Sequence, residues 1–123
     1  MIYTEIYSDG DGVSHFRDTE LTFEPSGFTA EGRPLAKSQF TDGQSGFLTV
    51  PAGWDSGWHR APGDGFAVLI NGEVEIEAGS GEVRRFSTGE VWRSTDTNGR
   101  GHISRVVSEE SAILHMTFFS DPA

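Results

Sequence analysis

Sixteen glycines, spread from Gly10 to Gly101, cut this chain into short runs rich in Val, Ile, Phe, Thr and Trp. That spacing leaves little room for helix and predicts an all-β chain, with fewer than roughly a tenth of its residues helical. The clearest strand is Gly72 to Ala78, where Val74 and Ile76 alternate with Glu73, Glu75 and Glu77. Period two of this kind buries one face and solvates the other. The continuous apolar run Phe66 to Ile70 before it reads as a strand covered on both sides, and Asn71-Gly72 between them reads as a hairpin turn. Further strands are expected at Met1 to Tyr7, Gly46 to Val50, Glu82 to Phe86, Glu90 to Thr95, His102 to Val107 and Ala112 to Phe119. Asp9 to Asp18 and Pro25 to Lys37 are less regular and read as loops around the mouth of a barrel. Periodicity alone leaves a jelly roll, an up-and-down barrel and an immunoglobulin-like sandwich open.

Composition narrows the chemistry. The 123 residues suffice for one hydrophobic core and are expected to form one domain, residues 1–123. There is no cysteine, so disulfides, thiolate metal sites and thiol nucleophiles are excluded. Nineteen acidic residues against nine basic ones give a net charge of −10, which repels phosphate backbones and anionic lipid and argues against nucleic-acid and membrane partners. The first eight residues show no basic segment followed by an apolar run, and no stretch approaches a membrane span, so a cytoplasmic location is expected.

One stretch goes further than periodicity. Gly57-Trp-His-Arg-Ala-Pro-Gly-Asp-Gly-Phe-Ala-Val-Leu-Ile-Asn-Gly-Glu-Val-Glu-Ile76 resembles the first motif of the cupin superfamily, and Asp96-Thr-Asn-Gly-Arg-Gly-His102 resembles its second. Gly81 to Trp92 is similar to the segment between the motifs. Asp11 to Asp18, with Trp58-His59-x-Ala61-Pro62, is similar to small single-domain cupins of the Cupin 2 type. The resemblance implies a cupin jelly-roll β-barrel. It also implies a ligand set, since metal-binding cupins carry His-x-His, then Glu four residues on, and one further His in the second motif. His59 and His102 match the first and last of these, but Ala61 and Gly65 stand where a His and the Glu would be. The metal motif is therefore degenerate. Asp64 lies one position from the expected carboxylate, and a one-residue offset in a strand sends it to the opposite face unless a bulge at Gly63 or Gly65 re-aims it.

His59 and His102 are the residues expected to carry chemistry. His102, Ser104 and Val106 alternate toward the interior, while Ile103, Arg105 and Val107 face away. Asp96 either caps the turn at Asn98-Gly99 or lies at the mouth and orients His102 as part of an acid–base pair. His15, in an expected loop, and His115, in the last strand, are weaker candidates. Trp54, Trp58, Trp92, Phe40 and Phe47 can line a pocket but most should be plain core, with Trp58 facing away from His59. Arg84, Arg85, Arg93 and Arg105 suit a carboxylate ligand or a solvated face.

Three readings of function follow. The first is a cofactor-independent lyase or isomerase in which His59, His102 and Asp96 move a proton on a small carbonyl or carboxylate metabolite. The second is a binding or sensing module that holds a small-molecule ligand without turnover. The third is a metal-dependent dioxygenase with a divalent ion at His59 and His102. A homodimer is expected, because the β-prone segment Ile2 to Tyr7 would otherwise leave an open edge.

Overall fold

The structure is a computed structural model that describes residues 1–26 and 35–119. Among the described residues there is no helix, and eleven strands carry the fold. They are β1 (Ile2–Ser8), β2 (Ser14–Glu20), β3 (Glu24–Ser26), β4 (Leu35–Lys37), β5 (Gln44–Val50), β6 (Gly65–Asn71), β7 (Glu73–Glu77), β8 (Val83–Ser87), β9 (Val91–Ser94), β10 (Ile103–Val106) and β11 (Ala112–Phe118). A six-stranded sheet runs in the order β2-β1-β9-β6-β11-β5, and a three-stranded sheet runs β10-β7-β8. All pairings are antiparallel except β1 with β9. The inner faces of the two sheets meet in one core, with Ile6, Leu69 and Ile76 at its centre and Phe86 tilted against Trp92 at a ring separation of 4.6 Å. This is a jelly-roll barrel.

The alternation in β7 does what period two dictates: Val74 and Ile76 are buried and the glutamates between them are half-exposed. The preceding run differs from expectation. In β6 only Gly65, Ala67 and Leu69 are fully buried, and Ile70 is exposed, so one face rather than two is covered. Its outer face is instead dressed locally, by Tyr3 and Phe119 packed edge-on to Phe66.

Asn71-Gly72 is not a hairpin. β6 belongs to the large sheet and β7 to the small one, so the chain changes sheets here rather than reversing within one. Gly72 takes φ +94°, and a β-carbon on it would stand 2.9 Å from the Ser108 hydroxyl, so the corner needs a residue without one.

Two expected loops contain strands. Within Asp9 to Asp18 the chain turns and returns as β2, which pairs with β1 along its whole length. The exposed residues of β2, Arg17, Asp18 and Glu20, are charged, which hid the strand, but Ser14 and Phe16 are buried. Within Pro25 to Lys37, β3 and β4 pair at the two ends, and residues 27–34 lie outside the described residues. The edge expected at Ile2 to Tyr7 is also filled, because β1 is flanked by β2 and β9; β2 and β5 are the outer strands of the large sheet.

Candidate functional site

The segment before β6 runs alongside β10 and extends the small sheet. His59 and His102 face each other across this bridge, each donating its backbone N–H to the other's carbonyl, at 3.0 and 2.9 Å. Directly opposed residues that exchange both hydrogen bonds carry their side chains on the same face of a sheet. The two imidazoles accordingly meet edge to face, 4.5 Å between centroids.

The third member arrives on β9. Trp92, Ser94 and Asp96 share one parity, and the chain beyond the strand is held extended by hydrogen bonds from Thr95 N–H to the Ile6 carbonyl (2.8 Å) and from Ala61 N–H to the Asp96 carbonyl (3.0 Å). Asp96 is completely buried and His102 nearly so, and Asp96 Oδ2 lies 2.5 Å from His102 Nδ1. A carboxylate only accepts, so the shared proton belongs on Nδ1 and leaves the Nε2 lone pair of His102 on the far side of the ring. Asp96 Oδ1 makes no hydrogen bond among the described residues. His59 Nδ1 lies 3.2 Å from the Gly57 carbonyl, which likewise fixes its proton on Nδ1. Of the two roles open to Asp96, turn cap and orienter of His102, the geometry has the second contact.

Both rings open onto a cavity of about 310 Å³ between the sheets. Trp54 and Trp92 form aromatic parts of its wall, Leu48, Leu114 and Met116 aliphatic parts, and Ser94 and Ser104 polar parts. His102, Ser104 and Val106 all line it, as their alternation requires; Arg105, expected to face away, also lines it, with its guanidinium held by Glu77, Asp55 and Glu75, and Ile103 on the other face is buried.

The other candidates lie elsewhere. Trp58 faces away from His59, with the Arg100 guanidinium 4.0 Å above its ring. Phe47 is exposed on the outside of β5 against His115, 4.8 Å between ring centroids, while Leu114 and Met116 take the inward positions. Phe40 is exposed, with the Lys37 ammonium over its ring. His15 lies in β2, stacked on Tyr7 and hydrogen-bonded to Asp9 at 2.7 Å. The four arginines are engaged by carboxylates: Arg84 by Asp18 and Glu82, Arg85 by Glu73, Arg93 by Asp64, and Arg105 by Asp55, Glu75 and Glu77. The hydrogen bond to Glu77, ahead of that to Asp55, raises the Arg105 pKa above its ordinary value.

Sequence reasoning missed Ser14. It is buried, its hydroxyl donates to the Gly101 carbonyl at 2.7 Å and accepts from Gly79 N–H at 2.7 Å, so it ties β2 to the residue just before His102. Its signal was the parity it shares with Phe16, obscured by reading the segment as a loop.

A divalent ion does not fit these residues. Among the described residues no three of His, Cys, Asp and Glu come together as a ligand set. Asp64 is not re-aimed inward; it forms a two-pronged ion pair with Arg93 at 2.8 and 2.7 Å. Ala61 is buried and carries no donor. A β-carbon on Gly65 would stand 2.1 Å from the Thr117 carbonyl oxygen, so this backbone has no space for a side chain there. A carboxylate behind an imidazole also occurs in metal centres, but two imidazoles fall short of the three protein donors that a catalytic zinc or a facial-triad iron takes.

No protein-family model matches the chain, and no curated protein matches it. Solved structures do. An oxalate oxidase in complex with the substrate analogue glycolate is 18% identical over 64% of this chain, with a TM-score of 0.50, and the match spans only 43% of that chain. A cupin domain from Bordetella pertussis Tohama I is 15% identical over 83% of this chain and 97% of its own, also with a TM-score of 0.50. Likeness at these identities is likeness of fold, and the fold is the cupin barrel.

Proposed function

We propose that this cupin barrel binds a small organic metabolite in its cavity and that the Asp96–His102 pair moves a proton on it without a metal or an organic cofactor. The observation that carries the reading is the 2.5 Å hydrogen bond that fixes His102 with Nδ1 toward a fully buried carboxylate. A carboxylate so placed orients an imidazole and stabilises the imidazolium that forms when Nε2 takes a proton. His102 is the base in this assignment. A C–H or O–H bond of the metabolite breaks, its electron pair stays on the metabolite, and the proton forms an N–H bond at Nε2. Return of the proton to a neighbouring atom completes an isomerisation and restores the enzyme. His59, whose half-exposed ring lies beside His102 with Nδ1–H directed to the Gly57 carbonyl, presents a second Nε2 acceptor that can hold a hydroxyl of the metabolite.

The test begins with native mass spectrometry of the purified protein to identify the retained ligand, followed by NMR of that ligand with catalytic protein in D₂O. Deuterium should enter at one carbon or be accompanied by isomerisation. Asp96→Asn and His102→Gln should slow this by about 10²-fold or more, the usual worth of a positioned base, with ligand affinity changed far less. Unaltered ligand, bound equally by all three proteins, would make the barrel a binding or sensing module instead.

A further inference from the structure

We propose that the cavity selects an uncharged ligand that offers a hydrogen-bond donor, an alcohol, a phenol or an enolisable carbonyl compound on about the scale of a single ring, and rejects carboxylates and phosphates. This rests on the reading that the barrel interior is the ligand site, and it narrows the substrate class of that site.

An anion buried in a protein needs a cation or several aligned donors, because the water it leaves behind is otherwise uncompensated. Among the described residues that line the cavity, Arg105 is the one arginine or lysine. Its guanidinium is engaged by Glu77 at 3.0 Å, Asp55 at 3.2 Å and Glu75 at 3.6 Å, so a fourth carboxylate would have to displace one of these. The imidazoles do not substitute for it. Each has Nδ1–H directed to a protein oxygen, so in its neutral form each presents Nε2 as an acceptor. An acceptor meets a carboxylate oxygen lone pair to lone pair, whereas an O–H or an acidified C–H meets it as a donor.

Asp96 adds to this. It is a fully buried carboxyl group directly behind His102, with one oxygen that makes no hydrogen bond among the described residues. A second negative charge in the cavity would be repelled through a low-dielectric wall. The net charge of −10 acts in the same direction on approach. What the cavity supplies in quantity is apolar surface, from Trp54, Trp92 and Met116 among others, around a volume of about 310 Å³ at the small end of ligand sites.

Three probes that share one ring and differ in head group test this: 4-methylphenol, 4-methylbenzoate and 4-methylphenyl phosphate. They are titrated at pH 8, where free imidazole is neutral and a phenol is not ionised, with tryptophan fluorescence as readout. Toluene serves as the reference for apolar filling alone. The expected result is that 4-methylphenol binds at least about tenfold more tightly than 4-methylbenzoate, and that the phosphate does not bind. His102→Phe, which retains a ring without a lone pair, should reduce 4-methylphenol to the affinity of toluene. Equal or tighter binding of 4-methylbenzoate would overturn the inference while leaving the cavity as the ligand site. An undiminished preference for 4-methylphenol in His102→Phe would overturn the role given to Nε2. Failure of all four compounds to bind would remove the reading of the cavity as a ligand site, and this inference with it.

Discussion

A β-carbon on Gly101 would stand 1.8 Å from the carbonyl oxygen of His59, closer than any side chain can come. Gly101 also takes φ +80°, a conformation that L-residues rarely adopt. The pairing of the two histidine-bearing segments thus depends on a residue with no side chain immediately before His102. Gly101→Ala should cost about 1–3 kcal/mol or more, the scale of backbone strain at such positions, read from the midpoint of urea unfolding. It should also move the ring proton resonances of both His59 and His102. An unchanged midpoint with unchanged ring resonances would mean that the two segments are not in contact as described.

The donor set makes a second expectation. Purified protein should carry well under one iron, zinc, nickel or manganese ion per chain, measured by elemental analysis. Chelator treatment should then leave the thermal midpoint where it was, because only an ion that binds the folded state raises it. Stoichiometric metal, lost together with stability in His59→Ala and His102→Ala, would move the dioxygenase reading to first place.

The turn between β1 and β2 predicts a small acid dependence. The Asp9 carboxylate is hydrogen-bonded by His15 and then by the backbone amide of Val13, and both hold its pKa below the ordinary 3.8. A depressed carboxylate pKa contributes stability that is present above the unfolded-state value and is lost as pH falls through the folded one. In His15→Ala the Asp9 carboxyl resonance should titrate closer to 3.8, and the stability lost on acidification should be smaller and its loss complete at higher pH. Asp9 is exposed, so the change should be modest and should shrink in high salt. Identical Asp9 titration in both proteins would remove His15 as the cause.

Self-association is expected through β5. It is an outer strand whose residues are exposed from Gln44 to Thr49, and Phe47 keeps 75% of its surface accessible. An edge with that much apolar surface favours pairing with a second copy. Light scattering at micromolar concentration should give twice the chain mass, and Phe47→Lys should reduce it to the monomer. A monomer mass for the unaltered protein would exclude the dimer.

Much of this was legible in the sequence. Val74 and Ile76 announce their strand by period two, whereas that Trp92 and Ser94 line the cavity emerged only from the structure. His59 and His102 were found only through motif spacing, since nothing local to either says that two residues 43 positions apart exchange backbone hydrogen bonds. The failures share a cause. β2 lies at the edge of its sheet, where half its residues face solvent and charge replaces apolar alternation. Asn71-Gly72 has the residues of a tight turn, but the same positive φ serves a corner between sheets, and only tertiary pairing distinguishes the two. Arg105 and Asp64 could not be assigned partners at all, because ion pairs across strands depend on register.

Gly65 is closed to a side chain by backbone packing alone. Where metal-binding relatives of the resembled motif carry a glutamate, this chain has brought the Thr117 carbonyl of β11 to within 2.1 Å of where that side chain would begin. A histidine at position 61 is one substitution away and would meet an open cavity. A carboxylate at position 65 is not, because β11 would first have to withdraw from β6 along a ladder that also positions Leu114 and Met116. Exchanging residue 65 alone therefore cannot complete the ligand set, and the donors at the site are two imidazoles and the carboxyl group behind one of them.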